Sequence, residues 1–306
     1  MPMRLQRLPE GNQTDMDMST VSTRQRLKAL VEARRGVIVP GAFNALSARV
    51  IEDLGYEVVY VTGAGVTNMY FGMPDQGFLG LAEIADHTAR IRDAVTLPVI
   101  VDADTGFGNA LNVAHTVRTL ERAGADCIQF EDQVAPKRCG HFSGKDVIST
   151  DEAVKKIRAA VDARQDENLL IMARTDAAAT HGFEAAIERA QLFAEAGADI
   201  LFVEAVTQPD EVRALPSRLA KPQLMNMVIG GKTPILSAEQ LGQLGYGIVL
   251  YANAALQGAV MGMQKALGVL RNEKQLLESS GLVTTFAERQ RLVGKPEWDA
   301  LERRYA

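Results

Sequence analysis

The chain of 306 residues is 47% hydrophobic and 23% charged, which is enough apolar material for one large globular domain. A formal charge of -5 excludes a general affinity for nucleic acid or acidic membranes, since both reward basic surfaces. Two cysteines, Cys127 and Cys139, exclude a disulfide framework and point to a reduced, cytoplasmic protein, with no apolar stretch that reads as a signal peptide or membrane span.

In chain order, residues 1–24 are polar and are expected to form a flexible N-terminal arm. A catalytic region follows over 25–275, and a helical extension over 276–306. Eight short runs, at 36–40, 58–62, 99–104, 127–132, 170–176, 200–204, 224–228 and 247–251, are nearly continuously apolar. That is the pattern of strands buried on both faces of a parallel sheet. Helical patterns at 81–95, 111–123, 151–163 and 183–196 alternate with them. Ser149 and Thr150 precede the acidic Asp151 and Glu152, which predicts an N-cap.

Gly55, Gly124, Gly197 and Gly245 each end a helical pattern just before a strand, where a left-handed cap uses glycine. The same glycines expose a weak repeat, as in Ala123-Gly124-Ala125-Asp126-Cys127 and Ala196-Gly197-Ala198-Asp199-Ile200. Eight such units, with no Gly-x-Gly-x-x-Gly turn after the first strand, predict an α/β fold of the (β/α)8 TIM-barrel class. After Ala255 one long helix runs to about Lys274, with one or two helices beyond it. This surplus over a single closing helix points to packing on a neighbouring subunit.

In a barrel, the C-terminal strand ends form the rim that carries the chemistry. Here they bear Tyr60 and Thr62, Asp102 and Asp104, Glu131 and Asp132, Arg174 and Asp176, Glu204, Asn226 and Tyr251. Buried carboxylates need partners, so acids at four consecutive strand ends require an explanation. Asp102 and Asp104 lie two residues apart, which predicts a shared strand face. With Glu131 they make an all-oxygen set suited to Mg2+ or Mn2+. The plainer alternative is that these acids cap loops or pair with Arg174 and Lys137.

The loop after the fourth strand reads Lys137-Arg138-Cys139-Gly140-His141-Phe142-Ser143-Gly144-Lys145. Its thiol, flanked by cations and a histidine, is favoured as thiolate, and its glycines would let the segment close as a lid. Cys127, within an apolar strand, reads as a small buried hydrophobe. His87 and His115 fall in helical patterns, and His181 reads as a turn residue. No serine–histidine–acid order or zinc-like spacing emerges.

Val101-Asp102-Ala103-Asp104-Thr105-Gly106-Phe107-Gly108, Glu131-Asp132-Gln133, Lys137 to His141 and Met172-Ala173-Arg174-Thr175-Asp176 follow one another in register with the barrel. Together they resemble the isocitrate lyase/phosphoenolpyruvate mutase superfamily over about residues 39–272. The resemblance implies a barrel whose eighth helix is swapped between subunits of a homodimer or homotetramer. It also implies Mg2+, with Mn2+ as the alternative, near Asp102, Asp104 and Glu131. Thr62, Gly63 and Ala64 match the loop whose amides hold a keto-acid carboxylate. Arg174, Glu204 and Asn226 match substrate contacts, as does Gly140 in the cysteine motif, and Asp75 matches a further acid near the metal.

Cys139 marks the carbon–carbon lyase branch, where it serves as general acid, with Lys137 and His141 as catalytic candidates in the same motif. The implied reaction is retro-Claisen cleavage of a small 2-hydroxy dicarboxylate to a keto acid such as pyruvate plus a carboxylate. Tyr60, Arg174 and Glu204 are candidates to assist hydroxyl deprotonation. Phe142, Ser143 and Gly144 in the lid, with Gln257 where an arginine is expected in methylisocitrate lyases, favour a 2-alkylmalate-type substrate, while Ile229 and Ala252 depart from the glutamate and proline of many relatives. The alternatives are methylisocitrate cleavage, oxaloacetate hydrolysis, P–C phosphonomutase chemistry, and a non-catalytic barrel that binds a ligand.

Overall fold

A computed structural model describes residues 21–137, 146–231 and 233–306. Eight parallel strands, β1 (Val37–Ala42), β2 (Val59–Val61), β3 (Val99–Asp102), β4 (Cys127–Glu131), β5 (Leu170–Thr175), β6 (Ile200–Val203), β7 (Gln223–Asn226) and β8 (Ile248–Tyr251), close into a barrel in chain order. Closure comes from β8 pairing with β1, from Val37 opposite Ile248 to Pro40 opposite Tyr251. All eight expected runs are strands. Several end one or two residues early, because the chain turns at the rim: Asp104 (φ 47°) and Ala205 (φ 61°) adopt left-handed backbone just beyond β3 and β6.

Alternation of side chains along each strand builds two layers of core. Val59, Val99, Val101, Ile128, Ile171, Leu201 and Val249 point outward against the helices. Tyr60, Ile100, Cys127, Leu170, Met172, Phe202, Leu224 and Leu250 fill the interior. Continuing the inward register towards the C-terminal rim brings Asp102, Gln129, Glu131, Arg174, Glu204 and Asn226. These six polar residues are therefore the upper layer of the barrel interior.

The lower end is closed by the helix Thr23–Glu32, which buries Leu27 and Val31 among the interior residues. This helix starts inside the segment assigned to the N-terminal arm. A capping box between Ser22 and Gln25 begins it, and Arg24 ties it to Glu121 (3.2 Å) and Asp166 (2.8 Å). The expected cap at Ser149 forms, its hydroxyl accepting the Glu152 amide at 3.2 Å. Gly124 needs its glycine twice over: φ is 96°, and an added Cβ would lie 2.4 Å from Arg92 Cγ.

Beyond β8 the helix Ala254–Glu273 leaves the barrel, followed by a short turn of 3-10 helix at Glu278–Ser280 and the helices Phe286–Leu292 and Lys295–Tyr305. In the long helix only Leu256 and Ala266 are buried, while Val260, Met261, Met263, Leu267 and Leu270 are exposed. Arg291 returns the extension to the barrel through a forked pair with Asp53, both contacts at 2.7 Å. Among the described residues no helix is long and apolar enough to cross a membrane.

Candidate active site

A cavity of about 230 Å3 opens at the C-terminal rim, lined in part by Asp75, Asp102, Glu131, Lys137, Arg174 and Glu204. Each of these was expected at the site. Tyr60, Thr62, Ala64 and Asn226 line it too. Gly63 packs against the acids: a Cβ there would lie 3.2 Å from Asp102 Oδ2 and 3.4 Å from Asp104 Oδ1. Cys139, His141 and Gly140 lie outside the described residues, so their expected roles rest on the sequence.

Thr62 shows how local sequence shapes the rim. Its hydroxyl caps the short helix Gly63–Val66 by accepting the Gly65 amide at 3.2 Å. That helix passes into a π-helix, Thr67–Phe71, ended by Gly72 in left-handed backbone. The turn that follows carries Asp75 to Lys137, whose ammonium stands 2.5 Å from Asp75 and 2.8 Å from Asp104. Lys137 is thus held between two acids, one of them 62 residues away in sequence.

Arg174 is the second buried cation. Its Nε and Nη2 form a fork on Asp176 at 2.9 and 3.0 Å, with Glu131 at 3.3 Å and Glu204 at 3.4 Å. The Phe202 ring lies under the guanidinium, 5.1 Å from its carbon. Burial opposes the charge on Arg174, but the three carboxylates outweigh it and raise its pKa well above the usual value. Glu204 is held as an acceptor by Asn226 Nδ2 at 3.2 Å and by the Ala205 amide at 2.9 Å.

The acids exceed these two cations. Burial, opposed by Lys137 and reinforced by Asp102 and Asp75, raises the Asp104 pKa to about 7. Burial likewise lifts Glu131 well above the carboxylate range, against the pull of Arg174. Glu131 Oε1 and Asn226 Oδ1 are buried without a hydrogen-bond donor. A rim with surplus buried carboxylate and an orphaned carboxylate oxygen is short of positive charge, and a divalent cation fits it.

Among the described residues, no three carboxylate, imidazole or thiol groups stand close enough to chelate one ion directly. The set suits a hard ion held by one or two carboxylates and otherwise by water, the habit of Mg2+. The shared strand face expected for Asp102 and Asp104 is not found, since β3 ends at Asp102. Both nevertheless reach Gly63, because the left-handed Asp104 turns its carboxylate back. The acids pair with Arg174 and Lys137, as the plainer alternative has it, and they leave negative charge to spare.

Sequence reasoning did not single out Gln129 or Arg189. Gln129 accepts the Tyr60 hydroxyl at 2.9 Å and donates to Asp102 Oδ1 at 3.2 Å. Its signal was a polar residue two positions before Glu131 in an otherwise apolar strand. Arg189 donates to Asp132 at 2.7 Å, to Thr150 Oγ1 at 2.9 Å and to the Ile148 carbonyl. Asp132 in turn accepts the Asp176 amide at 2.9 Å. Nothing local marks Arg189, since its partners lie 39 to 57 residues away. Cys127 is buried, and desolvation raises its thiol pKa well above 9.0, as expected of a packing residue. His87 and His115 sit in helices as predicted, while His181 is the last residue of a short helix, Ala177–His181, rather than part of a turn.

The phosphoenolpyruvate phosphomutase family model matches residues 27–270. The chain belongs to this family. It is 41% identical to 2,3-dimethylmalate lyase of Eubacterium barkeri over 94% of its own length and 99% of the relative. It is 45% identical to 2-methylisocitrate lyase of Aeropyrum pernix over 89% and 88%. A crystal structure of 2,3-dimethylmalate lyase, described as a member of the PEP mutase/isocitrate lyase superfamily, superposes with TM-score 0.87 at 34% identity, covering 94% of this chain and 96% of the other. Phosphonopyruvate hydrolase, solved with oxalate and Mg2+, superposes with TM-score 0.83 at 29% identity over 93% and 99%.

Proposed function

We propose that the chain is a Mg2+-dependent carbon–carbon lyase that cleaves a 2-alkylmalate-type dicarboxylate to a keto acid, such as pyruvate, and a carboxylate. The observation that carries this reading is the rim itself: Asp102 and Glu131 beside Lys137 and Arg174 in one cavity, with Asp104 paired to Lys137. Asp102, Asp104 and Glu131 are the residues that would hold the metal, one or two of them directly and the rest through water. Mg2+, or Mn2+ in its place, would offset negative charge on the 2-hydroxyl oxygen and carboxylate of the substrate. Relatives that are 2,3-dimethylmalate and 2-methylisocitrate lyases support the reaction class, and the Mg2+ in the phosphonopyruvate hydrolase structure supports the cofactor.

Glu204, held by two donors and facing Arg174, accepts the proton of the substrate 2-hydroxyl. The electron pair of that O–H bond forms the carbonyl, and the bond between C2 and C3 breaks. Its electrons pass to C3, where the adjacent carboxylate delocalises them. Cys139 supplies the proton that completes the second product. Tyr60 does not act as the base in this scheme. Its hydroxyl donates to Gln129, and burial with Asp102 nearby raises its pKa well above 10.0. Thr62, Gly63 and Ala64 would seat the keto-acid carboxylate, and Asp75 would fix Lys137.

The lining of the cavity also includes Phe202, Met227, Ile229, Leu250, Ala252 and Gln257. Among the described lining residues only Lys137 and Arg174 are cations, and both are already paired. That supports an alkyl group here over the third carboxylate of 2-methylisocitrate. The protein is further proposed to be a homodimer or homotetramer that exchanges the helix Ala254–Glu273, because that helix carries an exposed apolar face.

The test is pyruvate release, coupled to lactate dehydrogenase, from 2-methyl-substituted malates and 2-methylisocitrate with Mg2+, alongside glyoxylate release from malate and oxalate release from oxaloacetate. Turnover of an alkylmalate in preference to the others is expected. Preference for 2-methylisocitrate would move the chain to that branch, and no turnover of any of them would sink the lyase reading.

A further inference from the structure

Three interior residues on adjacent strands meet below the rim: Tyr60 of β2, Asp102 of β3 and Gln129 of β4. Register puts Asp102 directly opposite Gln129 across β3 and β4. Gln129 is 0% exposed and Tyr60 2%, so the polar atoms of both must be satisfied by protein. The amide does this by accepting the Tyr60 hydroxyl at 2.9 Å and donating to Asp102 Oδ1 at 3.2 Å.

The direction of the chain is set by chemistry. An ionised carboxylate only accepts, so the NH2 of Gln129 must face Asp102 and its oxygen must face Tyr60. Tyr60 can then only donate. Asp102 Oδ1 receives a second donor, the Asp104 amide at 3.2 Å. The other oxygen, Oδ2, is turned to Gly63 at the cavity, where an added Cβ would lie 3.2 Å away.

We infer that Tyr60 and Gln129 are positioning residues, a relay that occupies Asp102 Oδ1 and leaves Oδ2 as the oxygen offered to a divalent cation. The inference rests on the metal reading of the proposed function and goes beyond it, because it takes Tyr60 out of proton transfer. Outer partners of this kind orient a metal ligand, and losing them costs roughly 10- to 100-fold in metal affinity.

The test is Mn2+ binding to the full-length protein, read from the electron paramagnetic resonance signal of free Mn2+. The variants are Tyr60→Phe, Gln129→Met and the double variant. Wild type is expected to bind, and Gln129→Met to weaken binding by about 10- to 100-fold. Tyr60→Phe should weaken it less, and the double variant should be no worse than Gln129→Met, since the relay acts as one unit. Saturating Mn2+ should restore most of the turnover of Tyr60→Phe, which it could not do for a lost proton carrier. If wild type binds Mn2+ and both single variants bind it equally well, the relay is wrong and the metal site stands. If wild type does not bind, both fail together. Should Gln129→Met not fold, Tyr60→Phe, which removes one hydroxyl, decides the matter alone.

Discussion

Asp176 holds Arg174 by both arms, Nε to Oδ2 at 2.9 Å and Nη2 to Oδ1 at 3.0 Å, and so fixes the plane of the guanidinium beneath the cavity. Such forks are the strongest hydrogen bonds a protein makes, and this one is fully buried. Asp176→Asn would put an NH2 against one arm of the arginine. Hydrogen bonds to charged groups are worth ~1.5–3 kcal/mol, so kcat/KM should fall roughly 10- to 100-fold. Steady-state kinetics on the folded variant checks this, and an unchanged kcat/KM would show that Arg174 needs no such brace.

Gly63 lies in a helical turn whose backbone alanine tolerates, so Gly63→Ala should fold normally. Its new Cβ would press on Asp102 Oδ2 and Asp104 Oδ1, at 3.2 and 3.4 Å. Activity at limiting Mg2+ is expected to drop about tenfold or more, with little change in Tm. A matching loss of Tm would mean that the glycine serves packing instead.

Removing metal with EDTA should abolish turnover, and Mg2+ or Mn2+ should restore it. The metal-free protein keeps its fold, because Lys137 and Arg174 still hold five of the rim acids in ion pairs. Circular dichroism with and without EDTA tests the second half. Collapse of the fold without metal would make the ion structural.

The two cysteines should part company. Cys139→Ser is expected to lose nearly all turnover with Tm unchanged, since a serine hydroxyl is a far weaker acid. Cys127→Ser should cost stability and spare kcat, because it puts a hydroxyl into a fully buried apolar position. The Cys127 thiol has its pKa raised by burial above the unfolded value of roughly 8.5. Its contribution to stability is therefore intact below that pH and is lost as pH rises towards the native pKa. An alkaline decline in Tm that persists unchanged in Cys127→Ser would assign the decline to other groups.

Met263→Glu and Leu267→Glu place charges on the exposed apolar face of the helix Ala254–Glu273. If that face is exchanged between subunits, light scattering should show each variant dissociating towards monomer. Variants that keep the wild-type mass would leave the helix as a free surface.

The barrel was legible in the sequence because strand burial and helix capping are local. Continuous Val, Ile and Leu runs, helix-ending glycines and the cap at Ser149 each depend on a few neighbouring residues. The acids of the rim were legible as well, since every strand end faces the same side of a parallel barrel. Which acid pairs with which cation was not. Lys137 meets Asp75, Arg189 braces Asp132, and Gln129 bridges Tyr60 to Asp102 only after eight strands close in register, and closure is a property of the whole chain. The sequence by itself determined which groups the rim carries. The tertiary structure decided which of them neutralise one another and which carboxylate oxygens are left over, because that balance depends on distances between strands and on burial.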